Sequence, residues 1–344
     1  MHKWKKNKHL KLYADCVVVK GVSRSTICDL SRNKYYLIPN DLADLLENYD
    51  SFTLEEIEMQ YGLHNSKTIK NYINFLETNE FIFWCDEDEL DYFPKLSLEW
   101  DTPSKVNNSI IDYDKNSNFS IENVLNQLES LGCFYLQIRC FDIFNITFIK
   151  SIFSLFNNTR FKGVELLLKY NDELSKDFLI KMCNDHDRIK SVTIYNSPFN
   201  TIIKNNSDVV IAFINNIIDN ESHCGVISPN YFSTNISLFT EAQKFNTCLN
   251  RKISVDRFGL IKNCPSMEKN YGNVSDIKLK DVLNIESFKK LWLVNKDQIN
   301  VCNVCEFRYI CTDCRAYLDD SNTFSKPKKC MYNPYTNVWE KNID

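Results

Sequence analysis

The chain has 344 residues, of which 45 are acidic and 41 are basic, so its formal net charge at pH 7 is −4. This length suits two or three domains of roughly 100–200 residues each, and the small negative charge gives no general reason to expect nucleic-acid binding. Only seven glycines are present, which argues against glycine-rich phosphate-binding loops.

The first predicted domain covers residues 1–95. Residues 13–19, 25–30 and 34–38 are rich in β-branched and aromatic side chains and are predicted to be strands. Leucines at positions 42, 45 and 46 predict a helix, Thr53 and Glu56 predict a capping box before a second helix, and apolar positions 69, 72, 73 and 76 predict a third. With a further strand at 81–84, this order predicts a winged-helix-like domain.

Three roles are considered for this domain. DNA binding is disfavoured, because the third helix carries only Lys67 and Lys70 and an acidic stretch at 86–91 follows it. Peptide recognition by strand addition to an exposed sheet edge is favoured. A docking domain without a ligand is the remaining alternative.

The second predicted domain, residues 96–245, alternates strands and helices. Strands are expected at 109–113, 134–138, 164–168 and 191–195, and helical faces at 121–128, 148–156 and 178–182, with Ser120 as the N-cap of the first. Repeated βα units of this length predict an α/β fold with a parallel sheet, open or curled into a degenerate partial (βα) TIM-like barrel.

The third predicted domain, residues 246–344, is marked by seven closely spaced cysteines, namely Cys248, Cys264, Cys302, Cys305, Cys311, Cys314 and Cys330. Gaps of two residues let two sulfurs converge on one metal centre, and thiolates are the usual ligands of iron–sulfur clusters. Residues 253–256 and 260–262 predict a hairpin that turns at Gly259 and brings in the first two cysteines. Iron–sulfur clusters are the favoured interpretation.

Two other interpretations of the cysteines stay open. Two CxxC pairs could hold zinc, but only five residues lie between Cys305 and Cys311, and the remaining cysteines would need a second site. Cysteines can also fill core positions as small apolar groups. Core filling is the interpretation for the other seven, which include Cys16, Cys28, Cys85, Cys133, Cys140 and Cys183.

The location of the protein is predicted from its start and its cysteines. The lysine-rich residues 3–11 are not followed by an apolar stretch, so they do not indicate a signal peptide. No run approaches the roughly 20 apolar residues that span a bilayer. Fourteen cysteines without an export signal therefore predict a reducing cytoplasm.

The cysteine pattern resembles a known family. Its spacing, Cys248-x10-Gly259-x4-Cys264, a gap, Cys302-x2-Cys305-x5-Cys311-x2-Cys314 and then Cys330, is similar to that of the SPASM domain. That domain carries auxiliary [4Fe–4S] clusters at the C-terminus of many radical SAM peptide-modifying enzymes, although its usual gap before the sixth cysteine is three residues. Residues 305–315 resemble the maturases of grasp-with-spasm systems, which are encoded with an ATP-grasp ligase and a precursor peptide. The N-terminal domain looks like a leader-recognition element of such proteins.

The resemblance implies two clusters. One would be held by Cys302, Cys305, Cys311 and Cys330. The other would be held by Cys248, Cys264 and Cys314. The stretch 241–247 lacks the early cysteine of some relatives, so the fourth iron of the second cluster would be open or met by a distant group such as Cys224 or His223.

Both halves of the family's cofactor site are missing from this sequence. Radical SAM enzymes need CxxxCxxC after the first barrel strand, where one iron stays free for S-adenosylmethionine. Residues 114–118 contain no cysteine, and CxxxCxxC occurs nowhere in the chain. The family's Gly-Gly-Glu is also absent, because the second strand continues into residues 139–142 without a glycine. S-adenosylmethionine is therefore not expected, and no catalytic residue is named.

The favoured function is a peptide-maturation protein of a grasp-with-spasm system. It would bind a ribosomally made precursor peptide, carry one or two [4Fe–4S] clusters and act with an ATP-grasp ligase, without nucleic-acid or membrane partners. The first alternative is an iron–sulfur, radical SAM-like oxidoreductase that modifies peptides. The second is a zinc-binding interaction protein.

Overall fold

The N-terminal region forms two small sheets and three helices in a computed structural model that describes residues 7–204 and 209–340. Its elements are β1 (His9–Leu12), β2 (Cys16–Lys20), β3 (Ser25–Asp29), β4 (Lys34–Ile38), α1 (Asn40–Asn48), α2 (Leu54–Tyr61), α3 (Ser66–Thr78) and β5 (Ile82–Cys85). β1 pairs with β5, and β2, β3 and β4 form an antiparallel sheet in that order. The predicted capping box is confirmed, since Thr53 and Glu56 exchange hydrogen bonds at the start of α2. Lysines 3, 5 and 6, used in predicting the location, lie outside the described residues.

The three-stranded sheet is packed on both faces. One face, including Ile27 and Ile38, packs against α1, α2 and α3. The other face, including Val19 and Cys28, packs against Phe307 and neighbouring residues of the C-terminal region. The outer edges of β2 and β4 are left without a strand partner among the described residues.

The middle of the chain alternates strands and helices as expected. Its elements are β6 (Asn108–Tyr113), α4 (Ile121–Ser130), β7 (Tyr135–Cys140), α5 (Ile146–Ser154), β8 (Gly163–Lys169), α6 (Lys176–Asp185), β9 (Ile189–Tyr195), β10 (Thr201–Lys204), β11 (Val210–Phe213) and α7 (Ile236–Ala242). Ser120 caps α4 by accepting a hydrogen bond from the Asn123 backbone amide, which confirms the predicted N-cap.

These strands belong to an eight-stranded sheet with the order β10-β11-β9-β8-β7-β6-β12-β13, whose last two strands are β12 (Ser254–Val255) and β13 (Ile261–Lys262). The six inner strands are parallel, and β10 and β13 are antiparallel edges that do not pair with each other. Buried side chains of α4, α5 and α6 cover one face. The opposite face is open to solvent at Tyr135 and Glu165.

The C-terminal region consists mainly of loops, with the short elements α8 (Leu279–Val282), α9 (Glu286–Lys289), β14 (Tyr332–Asn333) and β15 (Val338–Trp339). The predicted hairpin is confirmed: β12 and β13 are joined through Gly259, whose φ of 79° suits glycine. β12 also pairs with β6, so the sheet crosses the predicted boundary at residue 245. The division into three domains stays a prediction. In the described part of the chain, no helix has the length and apolar character needed to cross a membrane.

Candidate metal centres

Four cysteines of the C-terminal loops form what we call the first cysteine set: Cys302, Cys305, Cys311 and Cys330. Cys302 and Cys311 are buried, and the other two are half-buried. Cys305 N donates to Cys302 O at 3.0 Å, and Cys305 and Cys330 pack against the small core that contains Cys311. These contacts bring the segments of the four cysteines together, and their binding of a metal stays a prediction.

A buried lysine faces this first set. Lys296 is 4% exposed, and its Nζ lies 3.5 Å from Cys311 Sγ. Burial lowers the pKa of Lys296, but Cys311, Cys302, Asp313 and Cys330 raise it by more, so the pKa is raised overall. A buried ammonium is costly without negative charge nearby, and the carboxylate of Asp313, 3.7 Å from this Nζ, supplies part of that charge beside the Cys311 sulfur.

The first cysteine set also borders the N-terminal sheet. Glu306, next to Cys305, is buried and accepts a hydrogen bond from Arg24 Nε at 2.6 Å. Its backbone carbonyl accepts one from Thr26 Oγ1 at 3.0 Å, and Val22 N donates to Val304 O at 2.9 Å. Side chain and backbone together fasten β3 and its preceding turn to the loop that carries the first set.

Three further predicted ligands form the second cysteine set: Cys248, Cys264 and Cys314. Cys264 follows β13, Cys248 precedes β12 and Cys314 comes from the loop after the first set. The segment of Cys248 meets that of Cys314 through Asn246, which accepts from Cys248 N at 3.1 Å and donates to Asp313 at 2.5 Å. The segments of Cys264 and Cys314 meet at the carbonyl of Glu221, which accepts hydrogen bonds from Ser266 and Tyr317. They meet beside the edge where β12 joins the central sheet.

The second set has its own buried lysine. Lys252 is 8% exposed and its Nζ lies 3.6 Å from Cys248 Sγ. Burial lowers its pKa, but Cys248, Cys264 and Cys224 raise it by more, so it is raised overall. Within the described residues no carboxylate forms an ion pair with Lys252. Neither Lys252 nor Lys296 was predicted as part of a site.

Cys224 lies with the second set, whereas His223 does not. Cys224 raises the pKa of Cys248, Cys264 and Cys314. His223 is exposed, and its ring nitrogen lies 3.2 Å from Asp219 Oδ1. The core-filling interpretation therefore holds for the six named buried cysteines but not for Cys224, which is half-buried in a loop.

Asp313 is fixed between the two sets. It is 1% exposed and accepts hydrogen bonds from Asn246 at 2.5 Å and Arg315 at 2.7 Å. Cys311 belongs to the first set and Cys314 to the second, so only Thr312 and Asp313 separate the two sets along the chain. Three residue steps span at most about 11 Å, so the two sets are near neighbours.

A buried ion pair lies near the carboxyl ends of two central strands. Arg139 of β7 donates to Asp112 of β6 at 2.6 and 2.8 Å, and both side chains are buried. Burial raises the pKa of Asp112 to about 6, although Arg139 lowers it. The pKa of Arg139 is raised mainly by Asp112, against the effect of burial, with smaller contributions from Cys224 and Cys264. Carboxyl ends of parallel strands are where α/β proteins commonly place their sites.

Burial favours the protonated form of two of these thiols, Cys264 and Cys311, in the absence of metal. Burial raises the pKa of Cys264 to about 11 and that of Cys311 to about 12, although Lys252 and Lys296 respectively lower them. Metal binding to cysteine requires the thiolate and releases the proton. Filling these sites would therefore convert neutral thiols to thiolates beside the two lysines.

The chemistry of the donor sets suits iron–sulfur clusters, whose usual ligands are thiolates. Among the described residues, no three His, Cys, Asp or Glu side chains are grouped so that they could hold one metal ion. Zinc needs its thiolates about 2.3 Å from one centre, whereas a [4Fe–4S] cluster is larger and takes about four cysteines, commonly one per iron. Thiol groups next to a buried ammonium suit such an anionic cluster.

No family model and no curated protein matches this chain. Among solved structures it is similar to Streptococcus suis SuiB bound to S-adenosylmethionine, with 11% identity and a TM-score of 0.38 over 93% of this chain and 99% of that one. The structure of SuiB alone has 11% identity and a TM-score of 0.34, over 92% of this chain and 99% of SuiB. The structure of SuiB bound to precursor peptide SuiA has 10% identity and a TM-score of 0.34, over 93% of this chain and 99% of SuiB. Similarity at this level does not assign a function to the chain.

Proposed function

We propose that this chain is a peptide-maturation protein of the grasp-with-spasm type, which binds a ribosomally made precursor peptide and carries auxiliary [4Fe–4S] clusters. The observation that carries the proposal is the sorting of the C-terminal cysteines into two sets, each with a buried lysine against a sulfur. Lys296 also pairs with Asp313 at 3.7 Å, whereas Lys252 forms no ion pair with a carboxylate among the described residues, so thiolates of a bound cluster would supply the negative charge that its burial calls for.

The first cysteine set would hold one cluster and the second set another. When bound, such clusters supply one-electron transfer and cross-links between loops. The chain's own residues would hold the clusters in place. Lys296 and Lys252 would offset the negative charge of the thiolates, and Asp313 would fix the loop between the two cysteine sets.

We infer that the chain does not start radical chemistry with S-adenosylmethionine. The loop after β6 carries no cysteine and is closed by its own polar groups. Asp114 Oδ1 accepts a hydrogen bond from Asn116 N at 2.8 Å, and Ser117 Oγ donates to Arg257 O at 2.7 Å. These contacts support a loop that serves as scaffold. Substrate-dependent cleavage of S-adenosylmethionine by the anaerobically reconstituted protein would revive the alternative, an iron–sulfur oxidoreductase.

The precursor peptide would bind at an edge of the three-stranded sheet. Since both faces of this sheet are packed, an added strand is the remaining way for a peptide to join it. The sheet has two free edges. The edge of β2 borders a cleft of about 190 Å³ that is lined in part by residues 93–96. The other edge is that of β4, which carries the 46% exposed Leu37, and we propose this β4 edge as the binding site. Lys70 of α3 pairs with Glu58 at 3.2 Å, which supports the prediction that nucleic acid is not the ligand.

Two experiments test the proposal. Iron and sulfide analysis of the protein purified anaerobically from a reducing cytoplasm should give about four of each per filled cluster, with broad absorbance near ~400 nm. Zinc without iron would instead support the zinc-binding interaction protein. A pull-down with the precursor peptide and ATP-grasp ligase encoded by neighbouring genes should retain both, and failure to bind either would overturn the proposed partners.

A further inference from the structure

We propose that Cys224 is the fourth thiolate of the second centre, so that a cluster held there has no open iron. This inference rests on the proposed iron–sulfur function and concerns a residue 24 positions before Cys248, in a loop outside the cysteine-rich region.

The loop that carries Cys224 contacts the segments that carry two members of the second cysteine set. The carbonyl of Glu221 in this loop accepts hydrogen bonds from Ser266, near Cys264, and from Tyr317, near Cys314. The third member, Cys248, lies against Lys252, whose Nζ is 3.6 Å from its sulfur. A thiolate from this loop would bring the second set to four, the number of cysteines in the first set.

The residue after Cys224 shows how closely this loop approaches the second set. Gly225 has a φ of +84°, and a Cβ built on it would lie 2.8 Å from Cys314 Sγ. Any other residue would meet both backbone strain and a clash with this thiol. Glycine at this position therefore lets the backbone next to Cys224 contact the sulfur of Cys314.

The loop is held there by residues that neighbour the second set in sequence. Ser266, two residues after Cys264, donates to the carbonyl of Glu221 at 3.1 Å, and Tyr317, three after Cys314, donates to the same carbonyl at 3.3 Å. Lys329 Nζ donates to the carbonyl of Cys224 at 2.6 Å. These hydrogen bonds hold the backbone of the Cys224 loop beside the second set.

Ligation by Cys224 would determine whether the second centre has an iron that can bind substrate. Three thiolates would leave one iron free to bind a substrate atom, whereas four leave none. On binding, the Cys224 thiol would lose its proton to solvent and form an Fe–S bond, with no change in oxidation state. The second centre would then transfer electrons or stabilise the fold, and it would not bind substrate through iron.

The test uses the full chain purified anaerobically, with Cys224→Ser, His223→Ala and Cys183→Ser compared with the unaltered protein. Cys183 is a buried core cysteine of α6 and serves as the matched control. Electron paramagnetic resonance of the reduced proteins is recorded with and without added cyanide, which binds open iron. We expect no cyanide effect in the unaltered protein, His223→Ala or Cys183→Ser.

In Cys224→Ser, we expect either a cyanide-dependent change of one of two cluster signals or the loss of about four irons per chain. A cyanide effect in the unaltered protein, or Cys224→Ser identical to it in signal and iron content, would overturn the inference. An unaltered protein that contains no iron would instead overturn the proposed function, so the two failures can be told apart.

Discussion

Lys252 is the residue whose charge should matter most to the second centre. Its ammonium is buried and lies 3.6 Å from Cys248 Sγ. A positive charge near a cluster favours its reduced, more negative form, and low local dielectric strengthens the effect. We expect Lys252→Met to lower the reduction potential of one cluster and to leave the other unchanged, as measured by a redox titration followed by electron paramagnetic resonance.

Lys262 provides the matched control for this prediction. It lies on β13 of the hairpin that follows Lys252 and is also largely buried, but its Nζ pairs with Asp256 at 2.9 Å. Lys262→Met should therefore leave both potentials close to those of the unaltered protein. Equal shifts in the two variants, or none in Lys252→Met, would contradict the assigned role of Lys252.

Arg24 should be important for the stability of the docked N-terminal sheet. It pairs with the buried carboxylate of Glu306 at 2.6 Å. Breaking a buried pair typically costs about 3–5 kcal/mol, because the remaining charge is uncompensated. We expect Arg24→Met to lower the free energy of unfolding by about 3 kcal/mol. This value is at the low end of that range because Tyr332 still donates a hydrogen bond to Glu306. Urea denaturation measures this.

The control for Arg24 is an exposed ion pair. Arg188 and Asp187 lie 3.8 Å apart with exposed side chains, and such surface pairs contribute about 0–1 kcal/mol. Arg188→Met should therefore change stability by less than about 1 kcal/mol. If the two arginine variants lost equal stability, Glu306 would not be the contact that fastens the sheet.

Many of the helices and strands could be predicted from local sequence patterns. The strand at 34–38, the capping box before α2 and the β12–β13 hairpin each depend on a few neighbouring residues, and each is confirmed. β1, β10 and β11 were missed. Each is a four-residue strand whose pairing with a distant or edge strand gives it structure, and such pairing leaves little periodicity in the sequence.

In the candidate centres, too, features set by neighbouring residues could be predicted and features set by the fold could not. The cysteines could be found because closely spaced thiols have a specific spacing, although their binding of metal stays a proposal. Lys252 and Lys296 could not be found, because a lysine that becomes buried looks like any surface lysine in the sequence. The sequence does not distinguish Cys224 from His223, whereas the fold places Gly225 against Cys314 Sγ and pairs His223 with Asp219.

β4 is the element on which the proposed peptide binding depends. Lysine on an edge strand opposes the addition of another strand, and losing a leucine contact costs about 1.5–3 kcal/mol. We expect Leu37→Lys to weaken binding of the labelled leader peptide about tenfold or more in fluorescence anisotropy. Ile202→Lys on the β10 edge, where Ile202 is 70% exposed, is the control and should bind normally. Equal binding by both variants would exclude the β4 edge.

In the molecule as a whole, the first cysteine set links its two ends. The core that unites the N-terminal sheet with the C-terminal loops is small, and it contains Cys311 with Cys305 and Cys330 packed against it. The core of the central sheet is larger and includes neither these cysteines nor the N-terminal strands. Metal at the first set should therefore stabilise the docking of β2, β3 and β4 more than it stabilises β6, β7, β8 and β9.

Removing iron with a chelator under anaerobic conditions tests this arrangement by hydrogen–deuterium exchange. Metal-binding energy in small, loop-rich regions is largely folding energy, and local opening follows local stability. We expect faster exchange in residues 302–339 and in β2, β3 and β4 after removal, and little change in β6, β7, β8 and β9. Cys302→Ser, which lacks one ligand of the first set, should reproduce the effect without a chelator. If exchange rose evenly across the chain, or rose only in residues 302–339, the first centre would not couple the N-terminal sheet to the C-terminal loops.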